Sequence, residues 1–336
     1  MGHRDALKDA RLKILVTGAA GYLGARLSEL LADSGHEVIA LVRKRPVEGA
    51  AWERKMTQVL TGEIRDEGPL KEAGDLGLDA VAHTVSLDHN KSELDPGETS
   101  AVNVEYTWRL LNQLAPLRLK RFIYFSTQQV YGKIGAATVS ESTTPNPMNA
   151  YGLTHLMSEQ ICELFNKRTE TICVSARISN GYGAPVFRSN NCWWLVINEF
   201  CKMALERGEI HLKSDGTPQR DFVHVKDIGR AIEILLTRPA SELKHRLYNL
   251  GSGETHTVLE LAHLVQKVCK DVLQREVAVI MSDKTVSKSS ASHARIPRFR
   301  YDVQRLRELG WTNRCPLEEG IAEVLLYLSR EKSTIS

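Results

Sequence analysis

Through the first two-thirds of the chain, short β-branched runs alternate with longer amphipathic stretches. The runs are "KILVT" (13–17), "EVIALV" (37–42), "DAVAH" (79–83), "RFIYFS" (121–126) and "TICVSAR" (171–177), and a helical pattern spans Tyr22 to Ser34. Buried strands separated by helix-length segments predict a doubly wound parallel sheet with right-handed crossovers. Beyond about residue 178 the pattern loosens into loops, a helix near 192–206, short strands and two late helices. That part reads as a smaller α/β lobe. The expected division is an N-terminal extension (1–11), a doubly wound domain (12–178) and the smaller lobe (179–336), with a strand of the latter free to return to the first sheet. No internal repeat or low-complexity tract interrupts it.

Composition narrows the class. Apolar residues make up 42% and charged residues 25% of the 336 positions, an ordinary globular balance. A formal charge of +3, with Lys and Arg evenly spread, argues against a nucleic-acid surface. No run of about 18 apolar residues suggests a membrane span, and "MGHRDALKDARLK" lacks the apolar core of a secretory signal. The six cysteines, Cys162, Cys173, Cys192, Cys201, Cys269 and Cys315, show neither paired spacing nor a neighbouring histidine cluster. The expectation is a reduced, cytoplasmic protein without a disulfide framework or metal site.

The chemistry starts at "VTGAAGYLG", where Gly18, Gly21 and Gly24 stand at the first strand-to-helix turn. Glycine there permits a tight turn and close approach of a pyrophosphate, and the helix N-terminus attracts negative charge. Gly18, Ala20, Gly21, Tyr22, Leu23 and Gly24 are therefore expected cofactor contacts. The second strand ends in "ALVRKRP", with Arg43, Lys44 and Arg45 where an NAD site would offer an acid. Arg43 and Lys44 favour the extra phosphate of NADP(H), with NAD(H) the alternative. Tyr151 and His155 stand four apart on a predicted helix and share one face.

Several motifs, in order and spacing, carry a resemblance across about residues 12–330: "TGAAGYLG", "GEIRD" (62–66), "NVEYTWRLL" (103–111), "FIYFSTQQVYG" (122–132), "PMNAYGLTH" (147–155), "GTPQRDFVHVKD" (216–227), "YNLGSGE" (248–254) and "LRELGW" (306–311). The sequence resembles the extended short-chain dehydrogenase/reductases, in their nucleotide-sugar epimerase/dehydratase branch. The resemblance implies a Rossmann-like fold and hydride transfer on a nucleotide-linked sugar. It also implies that Tyr151 is the acid/base and Thr127 the partner hydroxyl. Glu63 and Ile64 become candidate adenine contacts, and His83, Thr84, Val85 and Asn103 further cofactor neighbours, although "HTVS" replaces the usual Ala-Ala pair. Gln128, Asn180, Asn191 and Arg220 join Thr127 as substrate candidates, Arg220 because a guanidinium can fork onto a diphosphate. Arg220 could instead pair with Asp221 or Asp227.

His155 stands where the resemblance implies a lysine, the cation that holds the ribose and favours the phenolate of the tyrosine. A unit charge about 4 Å away contributes up to ~4 kcal/mol at an effective dielectric near 20. Histidine supplies it only when protonated. Three readings follow: His155 is a pH-sensitive substitute, it only orients the ribose, or the site binds nucleotide without turnover. Dehydratases of this branch carry acidic residues where Gln128 and Gln129 stand. Amides do not exchange protons at neutral pH, so epimerisation or keto reduction is favoured over dehydration. The basic "RKR" segment leans toward reduction. The alternatives are a sugar 4,6-dehydratase and a non-catalytic nucleotide-binding relative. The resemblance further implies a homodimer, with Leu110, Leu111, Leu114, Leu156, Ile161 and Leu164 as candidate interface stripes.

Overall fold

The computed structural model describes residues 11–63, 65–135, 138–281 and 298–333. Its elements, in chain order, begin with β1 (Lys13–Thr17), α1 (Tyr22–Asp33), β2 (Glu37–Val42), β3 (Gln58–Thr61) and β4 (Ala80–His83). They continue with α2 (Tyr106–Leu114), β5 (Arg121–Thr127), α3 (Ala150–Arg168), β6 (Ile172–Ile178) and β7 (Asn180–Tyr182). After these come α4 (Val196–Arg207), β8 (Gln219–His224), α5 (Val225–Thr237), β9 (Leu247–Leu250), β10 (Thr255–Thr257), α6 (Val258–Leu273) and α7 (Leu317–Ser333).

The main sheet has the order β9-β6-β5-β4-β1-β2-β3, and every neighbouring pair in it is parallel. The chain direction of the sheet's growth reverses between β1 and β4, which places a crevice at the carboxyl ends of those strands. All seven residues of β5 are buried, because helices cover both faces of the sheet. One apolar cluster, with Ile14, Val16, Ile123 and Leu235, fills one face. A second, with Leu15, Val81, Leu110, Phe122 and Ile161, fills the other. A third, with Ile197, Leu261 and Val324, packs α4, α6 and α7 together in the later part of the chain. Strand β9 carries the late "YNLG" segment back to the sheet beside β6. Among the described residues no helix is long and apolar enough to cross a membrane.

The α1 turn is tight for a reason visible in its contacts. Gly18 adopts a left-handed φ of 70°, and a Cβ on Gly24 would lie 2.2 Å from the Gly18 carbonyl oxygen. Only glycine lets the helix start so close to the strand. Helix α3 is set by a different device: the Asn149 side chain caps it by accepting from Gly152 N at 2.7 Å. A Cβ at Gly152 would sit 2.6 Å from the Gln129 carbonyl, so that glycine lets the helix start press against the end of β5.

Candidate active site

Thr127 is the last residue of β5, and Tyr151 lies in the first turn of α3. The hydroxyls of Thr127 and Ser86 lie on the side of the Tyr151 phenol, where both favour its ionised form. Thr127 Oγ1 accepts from Gln129 N at 3.2 Å, so its own proton is free to point at the phenol. Burial pushes the Tyr151 phenol up to about 12; the Thr127 hydroxyl opposes this, the Asp88 carboxylate adds to it, and the Ser86 hydroxyl opposes it. Among the described residues no Lys or Arg acts on this phenol.

His155 packs edge to face against Tyr151, with ring centroids 4.5 Å apart and planes inclined at 66°. It is 2% exposed, and its Nδ1 bonds the Tyr124 hydroxyl at 2.8 Å. Burial pushes its pKa down to about 3, against a smaller opposing effect of the Phe125 carbonyl. At neutral pH the imidazole is uncharged, which removes the physical basis for treating His155 as a cationic stand-in for lysine. What remains to it is orientation, through a ring wedged between two tyrosines.

The other expected cofactor residues divide into two groups. Gly18, Thr84 and Val85 come together: Thr84 Oγ1 donates to the Thr17 carbonyl at 2.7 Å, and both Thr84 and Val85 lie within about 3 Å of where a Gly18 Cβ would be. Gly21 forms the N-cap of α1, and no side chain caps that helix or adds an acid to its first turn. Its amide end is open to an anion. Arg43 and Lys44 are exposed after β2, whereas Arg45 pairs with Glu53 at 2.5 Å. Glu63 is half-buried and its backbone N bonds Asp66 at 3.1 Å, while Ile64 lies outside the described residues.

The remaining expected contacts are committed to the scaffold. Both His83 ring nitrogens are taken, Nδ1 by Thr17 Oγ1 at 2.7 Å and Nε2 by Thr107 Oγ1 at 3.1 Å. Burial, then the neighbouring His155, push its pKa down to about 3. Asn103 is fully buried; its Oδ1 accepts from Leu87 N at 2.9 Å and its Nδ2 donates to Thr154 Oγ1 at 3.0 Å. Its side chain therefore clamps the loop after β4 to the tyrosine helix. The Tyr22 hydroxyl donates to the Gly183 carbonyl at 2.8 Å, and the Ala20 carbonyl accepts from Asn190 Nδ2 at 2.8 Å. Leu23 faces Gly181. These contacts tie the glycine turn to the segment after β7.

Among the substrate candidates, Gln128 has a buried Oε1 with no partner among the described residues, while Gln129 is tied to Asn149 at 2.7 Å. Asn180 Nδ2 donates to the Asp221 carbonyl at 2.8 Å. Asn191 is exposed and its carbonyl accepts from Trp194 Nε1 at 3.0 Å; the buried neighbour Asn190 makes the contact to the glycine turn instead. Arg220 is exposed on β8 and pairs with neither expected acid. Asp221 points inward to Ser179, Ser252 and the Gly253 backbone, and burial lifts it to about 6. Asp227 holds Arg230 and the backbone of Arg314 and Cys315.

A glycine turn at the switch point of a parallel sheet, with a tyrosine and a hydroxyl at a neighbouring strand end, defines a dinucleotide-binding α/β protein. The chain belongs to the NAD dependent epimerase/dehydratase family, whose model matches residues 14–251. An uncharacterized UDP-glucose epimerase of Bacillus subtilis, YtcB, is 26% identical over 95% of this chain and 98% of its own length. The UDP-glucose 4-epimerase of Corynebacterium glutamicum is 25% identical over 90% and 91%. The solved structure of MoeE5 in complex with UDP-glucuronic acid and NAD is 25% identical, with a TM-score of 0.75 over 95% of this chain and 99% of that one. Sequence reasoning missed Asn190, which joins the glycine turn to the later segment, and Tyr124, which bonds His155.

Burial of neutral imidazoles has a stability sign. His83 and His155 have folded pKa values near 3 and His224 near 4, below the unfolded value, so their contribution is full above about pH 6.5 and is lost as pH falls toward the folded values. Each withdraws about 2 kcal/mol by pH 5, and the raised Asp221 works in the opposite direction below about pH 6. Imidazole 15N shifts of the native protein are expected to show all three rings neutral from pH 8 to pH 5. Titration of His155 near its ordinary pKa would contradict the buried, uncharged placement.

Proposed function

We propose that the chain catalyses nicotinamide-dependent epimerisation at a carbinol carbon of a nucleotide-linked sugar, with Tyr151 as acid/base. The observation that carries this reading is the Tyr151 phenol set beside Thr127, whose hydroxyl favours its ionised form at the carboxyl end of β5, in a sheet whose switch point holds an uncapped glycine turn. The residues fit a pyridine dinucleotide. Gly18 and Gly24 let α1 begin tight against the end of β1, and the open α1 amides suit the charge of a pyrophosphate. Thr84 and Val85 wall the same turn. When bound, that cofactor supplies a reversible hydride acceptor.

The chain's own residues handle the proton. Thr127 orients the reacting hydroxyl, Tyr151 accepts its proton as the carbon is oxidised, and the same phenol returns a proton when hydride comes back to the opposite face. Gln128 offers an unpartnered amide oxygen to the sugar, and Arg220, free of acidic partners among the described residues, suits a diphosphate. Dehydration fits less well, since Gln129 is an amide engaged with Asn149. Several relatives carry epimerase names and MoeE5 holds NAD, which supports epimerisation over net reduction. Arg43 and Lys44 support NADP(H) as the finer cofactor preference, because both are exposed cations at the end of β2.

The homodimer is proposed on a different surface from the stripes first expected. Leu110, Leu111, Leu114 and Ile161 are buried in the subunit core, Leu156 packs on that core, and Leu164 is half-buried. The exposed apolar side chains are Trp108 (39%), Leu153 (49%) and Met157 (44%), on α2 and α3. Trp108 and Met157 line a groove of about 560 Å³ with Ala101 and Val104. A second copy would cover it.

Incubation with UDP-, GDP-, dTDP- and CDP-sugars, with NAD or NADP, is expected to give the epimer of one of them. Tyr151→Phe should cut the rate by about 10²- to 10⁴-fold. An unaffected Tyr151→Phe variant would remove the acid/base role, and silence across the panel would favour a nucleotide-binding protein. NADP should bind more tightly than NAD, with Arg43→Ala/Lys44→Ala erasing the difference; an initial preference for NAD contradicts the cofactor proposal. Sedimentation at micromolar concentration should give a dimer that Trp108→Glu converts to monomer. A monomeric wild type would overturn the interface.

A further inference from the structure

We propose that His89 is a positioning residue for the Tyr151 phenol, its ring braced against the tyrosine so that the phenol oxygen keeps one aim at the carboxyl end of β5. The inference rests on the acid/base reading of Tyr151. His89 opens a short helix, His89–Leu94, in the connection that follows β4. Its ring meets that of Tyr151 with centroids 6.3 Å apart and planes at 89°. Such a T-shaped pair is an arrangement that ring quadrupoles favour. His155 makes a second T-shaped contact, at 4.5 Å, from one turn further along α3. Tyr151 is therefore held by one imidazole of its own helix and by another from a separate element.

The brace matters because a helix leaves a tyrosine more than one open χ1 well. A swing between wells would carry the ring away from both imidazoles and take the oxygen from beside Thr127. Contact with His89 is made in one well and weights it. The loop that presents His89 is fixed by bonds in which neither ring takes part. Asp88 Oδ1 accepts from Lys91 N at 3.0 Å, and the buried Ser92 hydroxyl donates to the Asp88 carbonyl at 2.8 Å. Glu93 Oε1 accepts from the N of Ala150, next to Tyr151, at 2.9 Å. Upstream, Asn103 Oδ1 accepts from Leu87 N at 2.9 Å, while its Nδ2 donates to Thr154 on α3 at 3.0 Å. Truncating His89 removes the brace and leaves this frame. A scaffold hydrogen bond does not explain the ring's place, since Nδ1 is shielded from solvent and has no partner among the described residues. What bears on Tyr151 is the flat aromatic ring, which a phenyl group shares.

The test places a difluorotyrosine at position 151 of the full chain with NAD added, and reads the conformers of that ring by 19F NMR at a pH that keeps the phenol protonated. The wild type should show one dominant conformer. His89→Ala should populate a second, shifting the ratio of the two by about two- to tenfold, and His89→Phe should restore the first. In the unlabelled enzyme, kcat should fall in His89→Ala by the population lost, with KM little changed, and recover in His89→Phe. A spectrum unmoved by His89→Ala would overturn the proposal. So would failure of His89→Phe to restore it, because the ring nitrogens would then do the holding. The NMR reading needs no turnover, so an inactive sugar panel would sink the acid/base reading while the spectrum still reports whether His89 holds the ring.

Discussion

The site depends on how closely the first turn of α3 approaches the end of β5. Gly152 permits it, since any larger residue would meet the Gln129 carbonyl, and Asn149 fixes the helix start by capping it. The approach brings the Tyr151 phenol beside the Thr127 hydroxyl and sets His155 edge to face against the Tyr151 ring. It also excludes water from the imidazole, which is why the imidazole carries no charge. A lysine at that position would bring a fixed cation; a buried histidine brings shape and a bond to Tyr124. The chemistry of the phenol is therefore governed by hydroxyls and burial rather than by an adjacent cation.

A buried polar frame holds this arrangement. Arg177 of β6 grips Glu159 of α3 through two bonds of 2.9 and 2.6 Å, and Ser126 of β5 donates to the same carboxylate at 2.5 Å. The guanidinium lies 4.6 Å from the Tyr131 ring centroid, and the Tyr131 hydroxyl reaches Asn249 at 2.7 Å. Such a pair adds little net stability over apolar packing, yet breaking one half leaves an uncompensated charge costing about 3–5 kcal/mol. Its geometric effect is to lock α3 onto the two strands whose ends form the site. His83 does the same for β1 and α2 through Thr17 and Thr107. Residues two positions apart in the chain thus divide between function and support: Thr127 meets the phenol while Phe125 packs in the core.

Much of the fold was legible because it depends on periodicity. The runs at 13–17, 37–42 and 121–126 became β1, β2 and β5, buried on both faces as their β-branched character requires. The glycine turn was legible for the same local reason, since Gly18 and Gly24 cannot be replaced without a clash. Protonation was not legible. The spacing of Tyr151 and His155 placed them on one face but carried no information about how deeply the ring is buried. Nor could sequence separate contact from support: Asn103 and His83 fall inside cofactor motifs, yet their polar atoms are taken by neighbouring loops and helices. The helix stripes show the same limit, because Leu110 and Leu114 face inward while Trp108 faces out.

The central claim is that Tyr151 exchanges protons without a charged neighbour at position 155. The direct measurement is the single-turnover hydride-transfer rate as a function of pH, in the wild type and in His155→Lys. The wild-type rate should climb with pH through neutrality with no break near about 6.5, and the lysine variant should make the same climb at lower pH. A wild-type rate that falls as pH rises through about 6.5, with no displacement in the lysine variant, would show that a protonated imidazole does the work and contradict the account.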